Sequence, residues 1–161
     1  MKIIVDAFGG DNAPLEVIKG SRMAVDELGY EIVLVGNEKI IKDEAEKNNI
    51  SLSGITIVHA PDVISMDDEP MDVMKSKSNS SMSKGLQLLA LGEGDAFVSG
   101  GNSGALAVGA TLKVKRIKGI KRCAFAPVIP KDKGFFMLID SGANVECRPE
   151  MLRQFAVMGY I

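Results

Sequence analysis

Short apolar runs alternate with helix-patterned segments in the first hundred residues, and this alternation constrains the fold more than any other feature. The runs are Lys2–Ala7, Glu31–Val35, Ile55–Val58 and Asp95–Val98. Because all four are short and apolar, and the first three are rich in β-branched residues, each predicts a buried parallel strand. Strands that alternate with helices of this length predict βαβ units with right-handed crossovers. The sequence therefore predicts an α/β fold with a mostly parallel sheet.

Capping residues and apolar periodicity predict where the helices lie. The first helix is expected to begin near Pro14 and to end at Leu28, with Gly29 as its C-terminal stop. Four more are predicted over Glu38–Asn48, Met82–Leu91 and Ala105–Leu112, and from the residue after Pro149 through Ile161. Two further strands, Cys123–Ala126 and Phe135–Ile139, are predicted on either side of a turn.

Composition narrows the class of protein. With 161 residues, 46% of them hydrophobic and 25% charged, the chain matches one ordinary globular domain. A net charge of −2 argues against a general nucleic-acid binder. No signal peptide or membrane-spanning run is evident, which predicts a cytoplasmic protein. Cys123 and Cys147 form no C-x-x-C pair, so buried thiols are expected, with no metal and no cofactor.

The turn Ser99–Gly104 follows a predicted strand and precedes a predicted helix. Its three glycines permit a tight bend and close approach of an anion to backbone N–H groups. The sequence Ser-Gly-Gly-Asn-Ser-Gly lacks the Lys-Ser/Thr end of a P-loop and the G-x-G-x-x-G spacing. Two interpretations stay open: a phosphate site, with Gly100, Gly101, Asn102, Ser103 and Gly104 as ligands, or a turn that only packs a helix on a sheet.

Other polar residues follow predicted strands, and ligands in parallel sheets gather at the carboxyl ends of the strands. The residues expected at such ends are Asp6, Gly9, Gly10, Asp11 and His59, with Asp140 and Asn144 in a later strand-end turn. We expect the aspartates to cap helices and hold loops. His59 is either a general acid or a hydrogen-bonded structural residue.

Two lysine-containing stretches add positive charge. In the first, Lys75 and Lys77 with the hydroxyls of Ser80 and Ser81 suit an anion, and a solvated loop before a helix explains them equally well. The second carries six cations and no acid over ten residues: Lys113, Lys115, Arg116, Lys118, Lys121 and Arg122. This run suits either an acidic protein partner or the solvated end of a helix.

Five motifs taken together resemble the PlsX family of phosphate acyltransferases over the whole chain. They are Asp6–Pro14, His59 with Val63–Met66, Asn79–Met82, Ser99–Leu106 and Asp140–Asn144. Three departures from the family pattern are Phe8 for Met, Ser141 for Val, and Ser76 and Ser78 within a usually denser basic run.

The resemblance implies a three-layer αβα fold like that of phosphotransacetylases and isocitrate or isopropylmalate dehydrogenases. It also implies transfer of a fatty acyl group from acyl carrier protein to inorganic phosphate, for phospholipid synthesis. A homodimer with peripheral membrane association is expected. Family members are about twice as long, so residues 1–161 are expected to be the N-terminal part of one such enzyme, C-terminally truncated and inactive alone.

Under this hypothesis, phosphate attacks the thioester carbonyl and positioning dominates catalysis. The turn amides, Asn102 and Ser103 would hold phosphate, Lys75 or Lys77 would balance charge, and His59 would protonate the leaving thiolate. The basic run would dock the carrier. Two alternatives are a phosphotransacetylase-like enzyme that uses coenzyme A thioesters and a non-catalytic module that binds acyl carrier protein.

Overall fold

The computed structural model describes residues 1–160, which form two compact units. The first unit is Met1–Lys115, and the second comprises the residues from Arg116 onward. The predicted strands of the first unit are all present, as β1 (Lys2–Asp6), β2 (Glu31–Gly36), β3 (Ile55–His59) and β4 (Ala96–Val98). They form one parallel sheet in the order β3-β2-β1-β4.

The α-helices of the first unit begin and end close to the predicted positions, and a 3₁₀ helix that the sequence does not predict is also present. They are α1 (Leu15–Leu28), α2 (Glu38–Lys47), a 3₁₀ helix (Pro70–Met74), α3 (Ser81–Ala90) and α4 (Ser103–Gly109), which continues into a π-helical turn (Ala110–Val114). Gly29 ends α1 with φ at 64°, the left-handed conformation that glycine adopts without strain. Asn37 and Ser80 cap α2 and α3 with their side-chain oxygens.

Consecutive apolar residues in the strands fill two separate cores, one on each face of the sheet. Ile32 and Leu34 pack with residues of α1 and α2 on one face. Val33 and Val35 share the other face with Ile4 and with side chains of α3. A parallel sheet covered on both faces explains why its strands are continuously apolar. The predicted three-layer α/β fold is confirmed.

The second unit contains a hairpin of β5 (Val128–Pro130) and β6 (Phe135–Met137), followed by α5 (Pro149–Tyr160). The predicted strand Cys123–Ala126 is wrong. The Phe125 amide and the Cys123 carbonyl bond to the side chains of Asp140 and Asn144, so this segment has no strand partner. The predicted continuation of α5 into Ile161 lies outside the described residues.

Cys147 is exposed and Cys123 is half-buried, so the expectation of two buried thiols is wrong. Within residues 1–160, no helix has the length and apolar character needed to cross a bilayer.

Candidate functional site

The chain order reverses between β1 and β4, and the candidate site lies at that point. From β1 the chain adds β2 and then β3 on one side, and it returns to place β4 on the other side of β1. Connections then leave β1 and β4 toward opposite faces, which opens a crevice at their carboxyl ends. Ligands of open parallel sheets bind in such crevices.

Two glycine-containing turns contact each other in this crevice. The Ser99 hydroxyl donates to Asp6 Oδ2 at 2.8 Å and accepts from the Gly101 amide at 3.1 Å. A Cβ on Gly9 would lie 2.6 Å from Ser99 Oγ and 2.9 Å from the Gly101 nitrogen. Gly9 is therefore required by close approach of the two turns. Asp6, only 3% exposed, holds them together and also accepts from the Phe8 amide.

Asn102 joins the turn to the preceding long loop. Its Oδ1 accepts from the Ala105 amide at 3.0 Å, which caps α4. Its Nδ2 donates to the carbonyl oxygens of Ser65 and Asp68, each at 3.1 Å. With its side chain fully engaged and only 8% exposed, Asn102 positions the loop over the start of α4. The structure thus gives Asn102 a different role from the predicted phosphate ligand.

The loop over α4 is fixed by an ion pair as well. Lys77 Nζ lies 2.5 Å from Asp68 Oδ2, and the same carboxylate accepts from the Ser65 amide. Hydrogen bonds from Lys77 and from the Ser65 amide lower the pKa of Asp68 to about 2. Lys77 therefore carries a charge that Asp68 already balances. Lys75 is exposed, and its ammonium has no ion pair or hydrogen bond within residues 1–160.

Ser80 and Ser81 lie inside the protein, 0% and 1% exposed. The Ser80 hydroxyl accepts from the Ser83 amide at 3.3 Å, and the Ser81 amide donates to the Asp62 carbonyl. Ser81 Oγ is buried with no partner among the described residues. Both serines belong to the start of α3, and because they are buried, an anion from solvent has no access to either hydroxyl.

The remaining turn residues keep open hydrogen-bond donors. Within the described chain, the amides of Gly100, Ser103 and Gly104 meet no acceptor, and Ser103 and Gly100 are exposed. A Cβ on Gly104 would lie 2.9 Å from Pro70 Cγ, so the 3₁₀ helix closes over this side of the turn. Gly10 and Asp11 are exposed on the neighbouring β1–α1 turn.

His59 lies at the correct edge of the sheet, but on its far strand. β3 and β4 are separated by β2 and β1, so three spacings of about 4.8 Å place His59 roughly 14 Å from β4. Its Nδ1 accepts from the Glu38 amide at 3.3 Å, at the start of α2. This geometry favours the structural interpretation of His59.

Asp140 and Asn144 form a separate cluster in the second unit. The Asp140 carboxylate accepts from the amides of Phe125, Ala143 and Asn144 and from Asn144 Nδ2, at 2.8–3.1 Å. Burial alone would raise the pKa of Asp140, and these hydrogen bonds hold it below its usual value. Asp140 therefore acts as a loop anchor with no free oxygen lone pair for a base.

The basic run spans the boundary between the units. Lys113 lies in the π-helical turn, and burial lowers the pKa of its ammonium group. Lys115 has a positive φ of 73°. In the second unit, Arg116 donates to the Lys121 carbonyl and Lys121 pairs with Glu150 at 3.5 Å. Lys118 and Arg122 are exposed. Only part of the run is therefore free for a partner.

Sequence reasoning missed Asp68, which holds the site together, and it gave no role to Ser65 although Ser65 lies in the Val63–Met66 motif. Asp68 stands in the acidic stretch Asp67-Asp68-Glu69, where nothing distinguishes it from its neighbours. Ser99 was part of a recognised motif, but its bond to Asp6 joins positions 93 residues apart.

Comparison with known proteins identifies the family. The model described as "Fatty acid synthesis protein" matches residues 1–161. The chain belongs to this family. Curated relatives named phosphate acyltransferase include one from Thermoanaerobacterium thermosaccharolyticum, 46% identical over all of this chain, and one from Pelotomaculum thermopropionicum, 45% identical. The chain covers 47% of each, so it spans about half the length of these relatives. The predicted resemblance to PlsX is confirmed.

Solved structures confirm the expected fold relationship. EutD phosphotransacetylase from Staphylococcus aureus matches with a TM-score of 0.72 at 19% identity, covering 98% of this chain and 51% of that one. A phosphotransacetylase from Streptococcus pyogenes matches with a TM-score of 0.75 at 20% identity, with the same coverage of both chains. At this identity the likeness concerns the fold alone.

Proposed function

We propose that the protein transfers a fatty acyl group from an acyl carrier protein thioester to inorganic phosphate, which yields acyl phosphate for phospholipid synthesis. The observation that carries the proposal is the set of relatives named phosphate acyltransferase, 43–46% identical over nearly the whole chain. The crevice between β1 and β4 supports it, because two glycine turns there leave backbone donors open.

In the proposed reaction, a phosphate oxygen attacks the thioester carbonyl carbon, a C–O bond forms, and the C–S bond breaks to release the carrier thiolate. Phosphate is held by the amides of Gly100, Ser103 and Gly104 and by the Ser103 hydroxyl. Lys75, which follows the 3₁₀ helix packed on α4, balances its charge. Asn102 acts by holding the loop, and the thiolate leaves without help from His59.

Acyl carrier protein docks on the exposed part of the basic run, because opposite surface charges steer association. The proposal also includes a homodimer, a cytoplasmic location with peripheral membrane association, and residues 1–161 as the N-terminal part of one α/β enzyme.

The experiment measures free carrier thiol and hydroxylamine-trappable acyl phosphate after the whole gene product is incubated with palmitoyl-acyl carrier protein. We expect thiol release only when phosphate is present, and an increase of about tenfold in the KM for phosphate in Lys75→Met. Lys39→Met, on the exposed face of α2, is the matched control. Equal use of a palmitoyl-coenzyme A donor would support the coenzyme A alternative, and carrier binding without turnover would support the non-catalytic one.

A further inference from the structure

The second unit contains a cavity of about 500 Å³ that the proposed reaction does not use. Its walls come from three places in the chain: residues 121–122, the loop that Asp140 anchors, and the start of α5. Five charged side chains line it, namely Lys121, Arg122, Glu146, Arg148 and Glu150. Three cations against two carboxylates leave an excess of one positive charge.

Two of the charged residues are already paired. Glu150 accepts from its own backbone amide and lies beside Lys121; both interactions lower the pKa of Glu150, and the charge of Arg148 makes the smallest contribution in the same direction. Lys121 Nζ is 3.5 Å from Glu150 Oε1. The first turn of α5 therefore already holds a carboxylate, and the Lys121–Glu150 pair contributes no free charge to the cavity.

The two arginines that line the cavity, Arg122 and Arg148, differ from the Lys121–Glu150 pair. Within residues 1–160, neither the Arg122 nor the Arg148 guanidinium makes a hydrogen bond or an ion pair, and both residues are exposed. A guanidinium stays charged at all physiological pH values and presents five donors in a planar fork. Two such forks on one cavity offer far more donors than Glu146 can satisfy.

The backbone that carries these arginines is fixed. Asn144 Nδ2 donates at 2.9 Å to the carbonyl of Cys123, the residue next to Arg122, and at the same distance to Asp140. Arg148 O accepts from the Met151 amide at 2.8 Å in the first turn of α5. Ligating residues on fixed backbone lose less conformational entropy on binding.

We propose that this cavity is a binding site for a phosphoryl group, with Arg122 and Arg148 as its ligands. Planar forks match phosphate oxygens in a bidentate manner. The volume exceeds that of a phosphate ion, so a phosphate ester with a substituent also fits. The group comes either from free inorganic phosphate or from a phosphate ester on the acyl donor, and the second source rests on the proposed function.

The test is a titration of the ¹⁵N-labelled chain, with the amide shifts of Ala143, Asn144 and Met151 as a local readout. One arm uses inorganic phosphate and the other uses 4′-phosphopantetheine, a phosphate ester that carries a thiol. We expect saturable shifts at these amides and affinity about tenfold lower in Arg122→Gln and in Arg148→Gln. Lys133→Gln, an equal charge change on the exposed β5–β6 turn, is the matched control and should bind as the parent does.

Arg122→Lys and Arg148→Lys keep the charge and remove the fork, so each should recover less than half of the lost binding free energy. Shifts with inorganic phosphate identify the free ion as a ligand, and shifts with the ester alone identify the donor. Absence of shifts with both probes, or equal affinity in the arginine variants and Lys133→Gln, would overturn the proposal. Because binding is measured without turnover, loss of the acyltransferase function would leave this result intact.

Discussion

The crevice at β1 and β4 and the cavity beside α5 use similar polar residues in opposite ways. In the crevice, Lys77 is paired with Asp68 and Asn102 is engaged at both ends of its amide. In the cavity, neither Arg122 nor Arg148 makes a side-chain hydrogen bond or ion pair among residues 1–160. In the crevice, polar side chains fix the backbone by hydrogen bonds. In the cavity, a fixed backbone presents arginine side chains that have no hydrogen bond of their own within the described chain.

This difference between the crevice and the cavity shows that a polar residue does not act as a ligand merely because it belongs to a motif. Its hydrogen-bonding capacity is finite, and native structures satisfy nearly all of the buried part internally. The crevice therefore offers a ligand its open backbone amides, whereas the cavity offers guanidinium groups.

The largest expected effect is that of Asn102→Ala, which should lower the free energy of unfolding by about 3 kcal/mol. The variant loses a helix cap and leaves two carbonyl oxygens without their donor. Asn37→Ala removes only the cap of α2 and should cost about 1 kcal/mol. Urea unfolding measures both. Equal losses would show that the loop does not depend on Asn102.

Gly9→Ala tests the contact between the two turns. Its Cβ would lie under 3 Å from Ser99 Oγ, Asp6 Oδ2 and the Gly101 nitrogen, so one turn must move at a cost of about 2 kcal/mol. Gly20→Ala adds a methyl group to α1 with no atom within 4 Å and should stabilise the protein by about 0.5–1 kcal/mol. Thermal unfolding of the pair gives the sign of each effect, and a stable Gly9→Ala would rule out close contact.

Asp140→Ala tests the loop anchor of the second unit. The variant loses an acceptor for four donors, but the loop is half-exposed and water replaces part of the loss, so we expect about 1–2 kcal/mol. Hydrogen exchange at the Phe125 and Asn144 amides should accelerate. Asp132→Ala, on the exposed hairpin turn, is the control. Unchanged exchange in Asp140→Ala would mean that the loop is held by other contacts.

The smallest effect is the pH dependence of the ion pair over α4. Because the pKa of Asp68 is lowered from 3.8 to about 2, its stabilisation is complete above the unfolded value and is lost as the pH falls toward 2. The difference in urea midpoint between the parent and Lys77→Met should therefore shrink between about pH 5 and about pH 2.5. Lys75→Met should show no such trend. A constant difference for Lys77→Met would exclude the pair as its cause.

Much of the fold could be predicted because its signals are local. The continuous apolar runs of β1 and β2 indicate burial on both faces, and Gly29 marks the end of α1 by its freedom at positive φ. The hairpin strand was misplaced because Cys123–Ala126 is apolar enough for a strand, whereas pairing depends on where the turn sets the register.

The candidate site could be predicted only in outline. Strand-end positions placed Asp6, His59 and Ser99 at the correct edge, since all parallel strands end there. Strand order, which separates His59 from Ser99 by two intervening strands, is not encoded in any local pattern.

The sequence by itself determined the four strands of the first unit, the α-helices and the glycine turns, because each depends on backbone preference and periodicity within a few residues. Only the tertiary structure decided which polar groups are free. Asn102 meets carbonyls 34 and 37 residues earlier in the chain, and the Asp140 loop anchors a segment 15 to 21 residues away. Hydrogen-bond partners at such separations are chosen by packing, so the availability of Arg122 and the engagement of Asn102 become visible only in the folded chain.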